Sequence, residues 1–163
     1  MEYSPTITSE APERLFLKYA LPCTFYLILQ KKIPQQTADY LEKSYLENRI
    51  IPRPALERIF KEEYNEVITL GEFNNENIQK YFLELHNDFV SHRESIPEGL
   101  KDFCRIQEAQ VIDMHEDYRA TVMLNSHKMR PVKTKLVENV SLGDLVKVHW
   151  YYIVDKMQNP IIL

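Results

Sequence analysis

The sequence is poor in glycine and cysteine, and it has no long apolar run. Only three of its 163 residues are glycines and two are cysteines, against nine prolines. No glycine-rich loop that could cradle phosphates is present, which counts against a nucleotide-binding protein. The most apolar stretch, residues 15–29, is too short to cross a bilayer, because a spanning helix needs about 20 apolar residues. We therefore expect no membrane insertion.

Neither half of the chain has a strong excess of basic residues, and the two cysteines are not closely spaced. Residues 1–96 carry 11 basic and 15 acidic side chains, and residues 97–163 carry nine of each. Neither part is the basic surface that phosphate contacts require, so a nucleic acid is an unlikely partner. Cys23 and Cys104 lie far apart, without Cys-x-x-Cys spacing and with no recognisable secretory leader before them. These features favour a protein of the reducing cytoplasm.

In the first half of the chain, apolar residues recur with the period of an α-helix. Residues 1–10 are polar and include a proline, and we expect them to form a loose tail. Over residues 11–92 apolar side chains recur at helical spacing, and Pro12, Pro34 and Pro54 stand where helices can begin. Asn74 can cap a further helix. The buried stripe predicted for that helix consists of Ile78, Tyr81, Phe82, Leu85 and Phe89.

The second half has a different pattern. It begins with a polar segment that contains proline and glycine, and this composition predicts a linker over residues 93–102. Alternating apolar residues then predict strands over residues 106–113, 119–124, 130–137 and 145–154. Several short strands in sixty residues favour a closed barrel, which leaves no exposed edge. The sequence thus predicts an α+β protein, with an all-helical domain over 11–92 followed by a small OB-like antiparallel β-barrel over 103–163.

A series of short matches in fixed order runs through the barrel region. Cys104 is followed six residues later by Gln110, and Ala-x-Val, Arg-x-Val and Leu-Val pairs come next. The run GDLVKVH, from Gly143 to His149, closes the series. From about Cys104 to Lys156 this order resembles the HypC/HupF family of hydrogenase-maturation chaperones. The chain differs in having Ile and Glu where the family has a glycine and a proline after the cysteine.

The resemblance implies a non-catalytic carrier rather than an enzyme. Such chaperones use the cysteine and a nearby histidine to hold, transiently, an iron centre bearing cyanide and carbon monoxide. They pass it to a hydrogenase large subunit. The match implies Cys104 and His149 as metal ligands, no tightly bound cofactor, and a hydrogenase large subunit or another maturation factor as protein partner. Soft thiolate suits such a metal. Gln110 is then a candidate interaction residue.

Other interpretations stay open. Cys104 and His149 could be ordinary core residues of a barrel that has kept its fold and lost the metal role. That barrel would be a binding module for protein or single-stranded nucleic acid, with Trp150 and Tyr152 as interaction residues. Three histidines are weaker metal candidates. His86, on the polar flank of its helix, and His92, at the start of the linker sequence, could form a metal pair with Glu84 or Asp88. His115 lies in the acidic turn over residues 113–117, which could hold a hard cation. No catalytic motif is recognisable.

Overall fold

The computed structural model describes residues 11–157, so the predicted tail over residues 1–10 and the last six residues lie outside the described part. The helices are α1 (Pro12–Ala20), α2 (Thr24–Leu29), α3 (Gln35–Leu46), α4 (Arg53–Ile59), α5 (Lys61–Leu70), α6 (Asn75–Lys80), α7 (His86–His92) and α8 (Glu98–Cys104). A 3-10 turn, Leu21–Cys23, joins α1 to α2, and a π-helical turn, Tyr81–Leu85, joins α6 to α7. Among the described residues no helix has the length and apolar character needed to span a bilayer.

Five strands follow the helices and close into a barrel. They are β1 (Ile106–His115), β2 (Arg119–Leu124), β3 (Met129–Lys133), β4 (Leu145–His149) and β5 (Tyr152–Lys156). Around the barrel the order is β1-β2-β3-β5-β4. All neighbouring pairs are antiparallel except β3 and β5, which meet in a parallel bridge between Lys133 and Tyr152. The predicted mixture of helix and sheet, with helices first and a barrel second, is confirmed.

Local signals account for several helix ends. The Asn74 side chain accepts a hydrogen bond from the Asn77 N–H at 2.9 Å, which confirms the predicted cap of α6. Pro12 lies in the first turn of α1, where its missing N–H costs nothing. The predicted linker over residues 93–102 is partly helical, because α8 occupies the whole of its second half.

The last predicted strand, over residues 145–154, is wrong as a single element. The chain reverses at Trp150 and Tyr151, and β4 and β5 are the two arms of a hairpin. Trp150 takes the left-handed conformation with φ of 53°. Its N–H donates to the Phe103 carbonyl at 3.0 Å, and its ring stacks on those of Phe25 and Phe103. These contacts hold a turn that lacks the usual glycine or asparagine.

One continuous apolar core joins the helices to the barrel. Residues of α1 and the following helices pack in the same cluster as four barrel-side residues, namely Ile106, Leu136, Tyr152 and Val154. A second cluster fills the barrel interior with small aliphatic side chains, mostly valines. The boundary between the two halves is therefore a buried interface.

Polar links cross the same interface. Asp155 of β5 accepts hydrogen bonds from Lys18 at 3.0 Å and from the Tyr19 hydroxyl at 2.5 Å. Glu42 of α3 accepts a short hydrogen bond from the Tyr152 hydroxyl. Two lysines of the barrel half, Lys133 and Lys135, each approach the Glu42 carboxylate at 3.4 Å.

Glu42 should make the stability of the protein depend on acid pH. Burial alone would raise the pKa of Glu42, but the Tyr152 hydrogen bond and the two lysine charges outweigh burial and lower it. A lowered folded-state pKa means that the stabilisation is complete above the unfolded pKa, about 4.3, and is lost as pH falls through the folded value. Glu42→Gln should therefore cost about 1–2 kcal/mol at pH 7.

This cost should shrink as pH falls below about 4, where the wild-type carboxylate also becomes neutral. Urea unfolding of both proteins at pH 7 and pH 3 measures it. Glu57→Gln, at an exposed position of α4, is the matched control and should change stability little at either pH. An equal cost of Glu42→Gln at both pH values would contradict the account.

Candidate metal centre

The two residues implied as metal ligands, Cys104 and His149, both lie at the interface between helices and barrel. Cys104 ends α8 and is 6% exposed, and His149 ends β4 and is fully buried. Cys104 lines a cavity of about 290 Å³, together with Trp150 and residues of α2, α4, α5 and α7. We call this the interdomain cavity.

A second cysteine stands closer to the His149 ring. The Cys23 sulfur is 3.7 Å from His149 Nε2, and the rings of His86 and His149 lie 4.9 Å apart between centroids. One ligand atom from each of Cys23, His86 and His149 falls within 4.8 Å of the other two. Cys104 is not a member of this set. We call these three residues the Cys-His-His cluster.

Cys23 is placed by the break between α1 and α2. Pro22 has no N–H with which to continue an α-helical ladder, and the chain tightens there into the 3-10 turn that ends at Cys23. The apolar stretch over residues 15–29 therefore forms two helical pieces, with the thiol at their junction. Cys23 and His86 both line the interdomain cavity.

His86 is placed by the π-helical turn, and the sequence prediction for this helix was wrong in part. The His86 N–H donates to the Tyr81 carbonyl five residues earlier, so one extra residue is accommodated in the turn. The buried face consequently shifts by one position. Leu85, predicted to be buried, is 39% exposed, whereas His86, predicted to lie on the polar flank, is 3% exposed. His86 does not pair with Glu84 or Asp88, which are exposed.

A backbone contact fixes the tautomer of His149. Its Nδ1 lies 3.0 Å from the Tyr19 carbonyl oxygen. A carbonyl oxygen only accepts, so Nδ1 must carry the proton. In the neutral ring Nε2 then has a lone pair, and this is the nitrogen that faces the Cys23 sulfur. Metal-binding histidines are held in the same way, with the second ring nitrogen bonded to a carbonyl or carboxylate.

Burial keeps the cluster uncharged. It raises the pKa of the Cys23 thiol well above its ordinary value, and the nearby Glu63 and Cys104 act in the same direction. Burial lowers the pKa of His86 to about 4 and that of His149 well below its ordinary value. At neutral pH the protein alone thus has a thiol beside two neutral imidazoles, rather than the thiolate beside imidazolium that cysteine nucleophiles use. A bound cation would favour the thiolate.

Further polar groups line the interdomain cavity. Burial raises the pKa of Glu63 to about 7 and that of the Cys104 thiol to about 11. The Trp150 indole partly opposes the effect on Cys104, although its N–H makes no regular hydrogen bond to any residue of 11–157. Because its pKa is raised to about 11, Cys104 is a protonated thiol at neutral pH.

An ion pair also lies on the cavity wall. Glu62 and Arg93 form it between α5 and the end of α7.

The residues implied as interaction sites differ in exposure. Gln110 is exposed on β1 and donates to the Gly143 carbonyl at 3.3 Å. Trp150 and Tyr152 are only 3% and 4% exposed, and they pack between helices and barrel. Their rings are thus not available on the surface for stacking on bases. His115 is exposed at the end of β1, where its Nε2 lies 2.8 Å from the Thr121 hydroxyl oxygen.

Comparisons with protein-family models, with curated proteins and with solved structures found no match to this chain.

Proposed function

We propose that this protein is a non-catalytic, chaperone-like carrier that helps to assemble or deliver a metallocentre to a hydrogenase large subunit. The proposal rests on one observation above all, the meeting of the half-buried Cys23 thiol with two buried imidazoles, one of which is His149, next to a cavity that Cys104 also lines. We further propose that the closed five-stranded barrel is of the OB-like type.

The chemistry of the site supports a carrier of a transition metal. Sulfur and imidazole nitrogen are ligands for iron, zinc and copper, whereas magnesium and calcium prefer oxygen. The charge distribution of the protein agrees with a protein partner, since neither half is strongly basic. In this proposal the iron centre is the cargo, and Cys104, a second thiol on the cavity wall, takes part in its transfer.

Co-purification with a client tests the carrier function. The tagged protein, coexpressed with a hydrogenase large-subunit precursor and purified without oxygen, should retain the precursor and iron, with infrared bands of cyanide and carbon monoxide. Cys104→Ala and Cys23→Ala should lower the iron content of the complex, and His92→Ala, at an exposed position of α7, should not. Full iron loading in both cysteine variants would refute a thiol-based carrier.

A second candidate is a protein-binding module that has lost the metal role. Exposed apolar side chains at the β1–β2 and β2–β3 ends of the barrel favour it, among them Tyr118 at 70% and Met129 at 66% exposure. Such a module would bind its partner equally well with and without Cys23 and Cys104. Partner retention in the double variant, together with no iron in the wild-type complex, would select this candidate.

A further inference from the structure

The Cys-His-His cluster has the donor set of a transition-metal site. It combines one sulfur and two nitrogen ligands contributed by three separate elements, the 3-10 turn, α7 and β4. Such a set is suited to borderline or soft ions, and its members are far apart in the sequence. The cluster is not a chance grouping of polar residues on the surface, because His86 and His149 are 3% and 0% exposed.

The distances are close to those that an ion would require. A tetrahedral zinc ion with usual bond lengths separates a thiolate sulfur from an imidazole nitrogen by about 3.6 Å. Cys23 Sγ and His149 Nε2 are 3.7 Å apart. All three ligand atoms of the cluster lie within 4.8 Å of one another, so a tetrahedral ion would draw them inward by no more than about 1.5 Å.

Residues around the Cys-His-His cluster orient its histidine rings. His149 is already held by the Tyr19 carbonyl, so its Nε2 is oriented before an ion arrives. The Nδ1 atom of His86 lies 3.4 Å from the Asn87 side-chain oxygen. Glu63, a buried acidic residue, lines the same cavity as Cys23.

We propose that Cys23, His86 and His149 bind one zinc(II)- or iron(II)-class ion, with the fourth coordination position open to the interdomain cavity. Three protein ligands leave the fourth position of a four-coordinate ion free for water or an incoming ligand, whereas purely structural sites fill all four positions with protein ligands. The inference rests on the proposed function, because it takes the bound ion to be the metal that the carrier delivers. The proposed ligands differ from those that the resemblance implies. Cys23 and His86 belong to the helical half, and Cys104 is not a resident ligand.

A cobalt(II) titration of the purified reduced protein tests the ligand set without any client. Wild-type protein should bind one equivalent of cobalt, with thiolate-to-cobalt charge-transfer absorption and the intense visible bands of a four-coordinate ion, and zinc should displace it. Cys23→Ser should abolish the charge-transfer absorption. His86→Gln and His149→Gln should weaken binding by about 100-fold or more, beyond the effect of outer-shell changes.

Two control variants distinguish the three proposed ligands from other cysteine and histidine residues of the protein. Cys104→Ser and His92→Gln should bind cobalt like the wild type. Because a buried substitution can impair folding, alkylation of wild-type protein followed by mass spectrometry provides a second measurement. Zinc should protect Cys23 from alkylation and leave Cys104 unchanged.

Two results would overturn the proposal. One is a folded wild-type protein without charge-transfer absorption, and the other is absorption lost in Cys104→Ser and retained in Cys23→Ser. A client complex with normal iron loading in Cys23→Ser would refute this site while leaving the carrier function intact. Cobalt binding as described, with no client complex, would refute the carrier function alone.

Discussion

Zinc should raise the free energy of unfolding of the wild-type protein by about 4 kcal/mol when the free ion is held near a thousand times its Kd, because a ligand that binds only the folded state stabilises it by mass action. The three ligands come from residues 23, 86 and 149, and unfolding separates them. The ion should therefore act as a link between the helices and the barrel.

The measurement is urea unfolding at pH 7 in reductant, with and without buffered zinc. Cys23→Ser should lose most of the stabilisation, because only two imidazoles remain. Cys104→Ser is the matched control, with a thiol removed from the same cavity, and should keep the full effect. An equal zinc effect in the two variants would show that the ion binds elsewhere.

Phe16→Ala should reduce the free energy of unfolding by about 3–5 kcal/mol, the usual cost of removing a fully buried aromatic side chain. Phe16 is 0% exposed and lies at the centre of an aromatic cluster. The rings of Phe60, Tyr64, Phe73 and Phe82 lie at 6.0, 6.1, 5.5 and 5.7 Å from it. Alanine would leave a cavity that these four rings cannot fill together, because the α4–α5 junction, α5, the loop before α6 and the π-helical turn each hold one of them.

The same variant tests whether helices and barrel unfold together. Trp150 is the only tryptophan and stacks between Phe25 of α2 and Phe103 of α8, so its fluorescence reports on the interface. Since one core spans both halves, fluorescence and far-ultraviolet circular dichroism should shift to lower urea by the same amount. Leu46→Ala, at a 43% exposed position, is the control. A fluorescence midpoint unchanged by Phe16→Ala would indicate independent domains.

Local sequence signals predicted most of the secondary structure. The cap at Asn74 and the strand over residues 119–124 depend on neighbouring residues, and both occur as predicted. The hairpin turn at Trp150 was missed because its left-handed backbone is stabilised by aromatic rings from α2 and α8 rather than by a turn residue. The π-helical turn was missed because a regular period places Leu85 inside.

The site was only partly accessible to sequence reasoning. His149 was implied as a ligand by the HypC/HupF resemblance alone, and the structure places it in the cluster. Cys23 and His86 carry no motif, since their proximity arises only when α1, α7 and β4 pack together. The proline next to Cys23 is the one local signal, and it indicates a break in the helix rather than a ligand.

Anomalous diffraction at the zinc absorption edge, from crystals of the protein grown with zinc, tests the central claim most directly. We expect a single strong interior peak, bonded to the Cys23 sulfur at about 2.3 Å and to one ring nitrogen each of His86 and His149 at about 2.1 Å. A peak bonded to Cys104 without Cys23, or an interior with no metal beside ordered surface zinc, would contradict it.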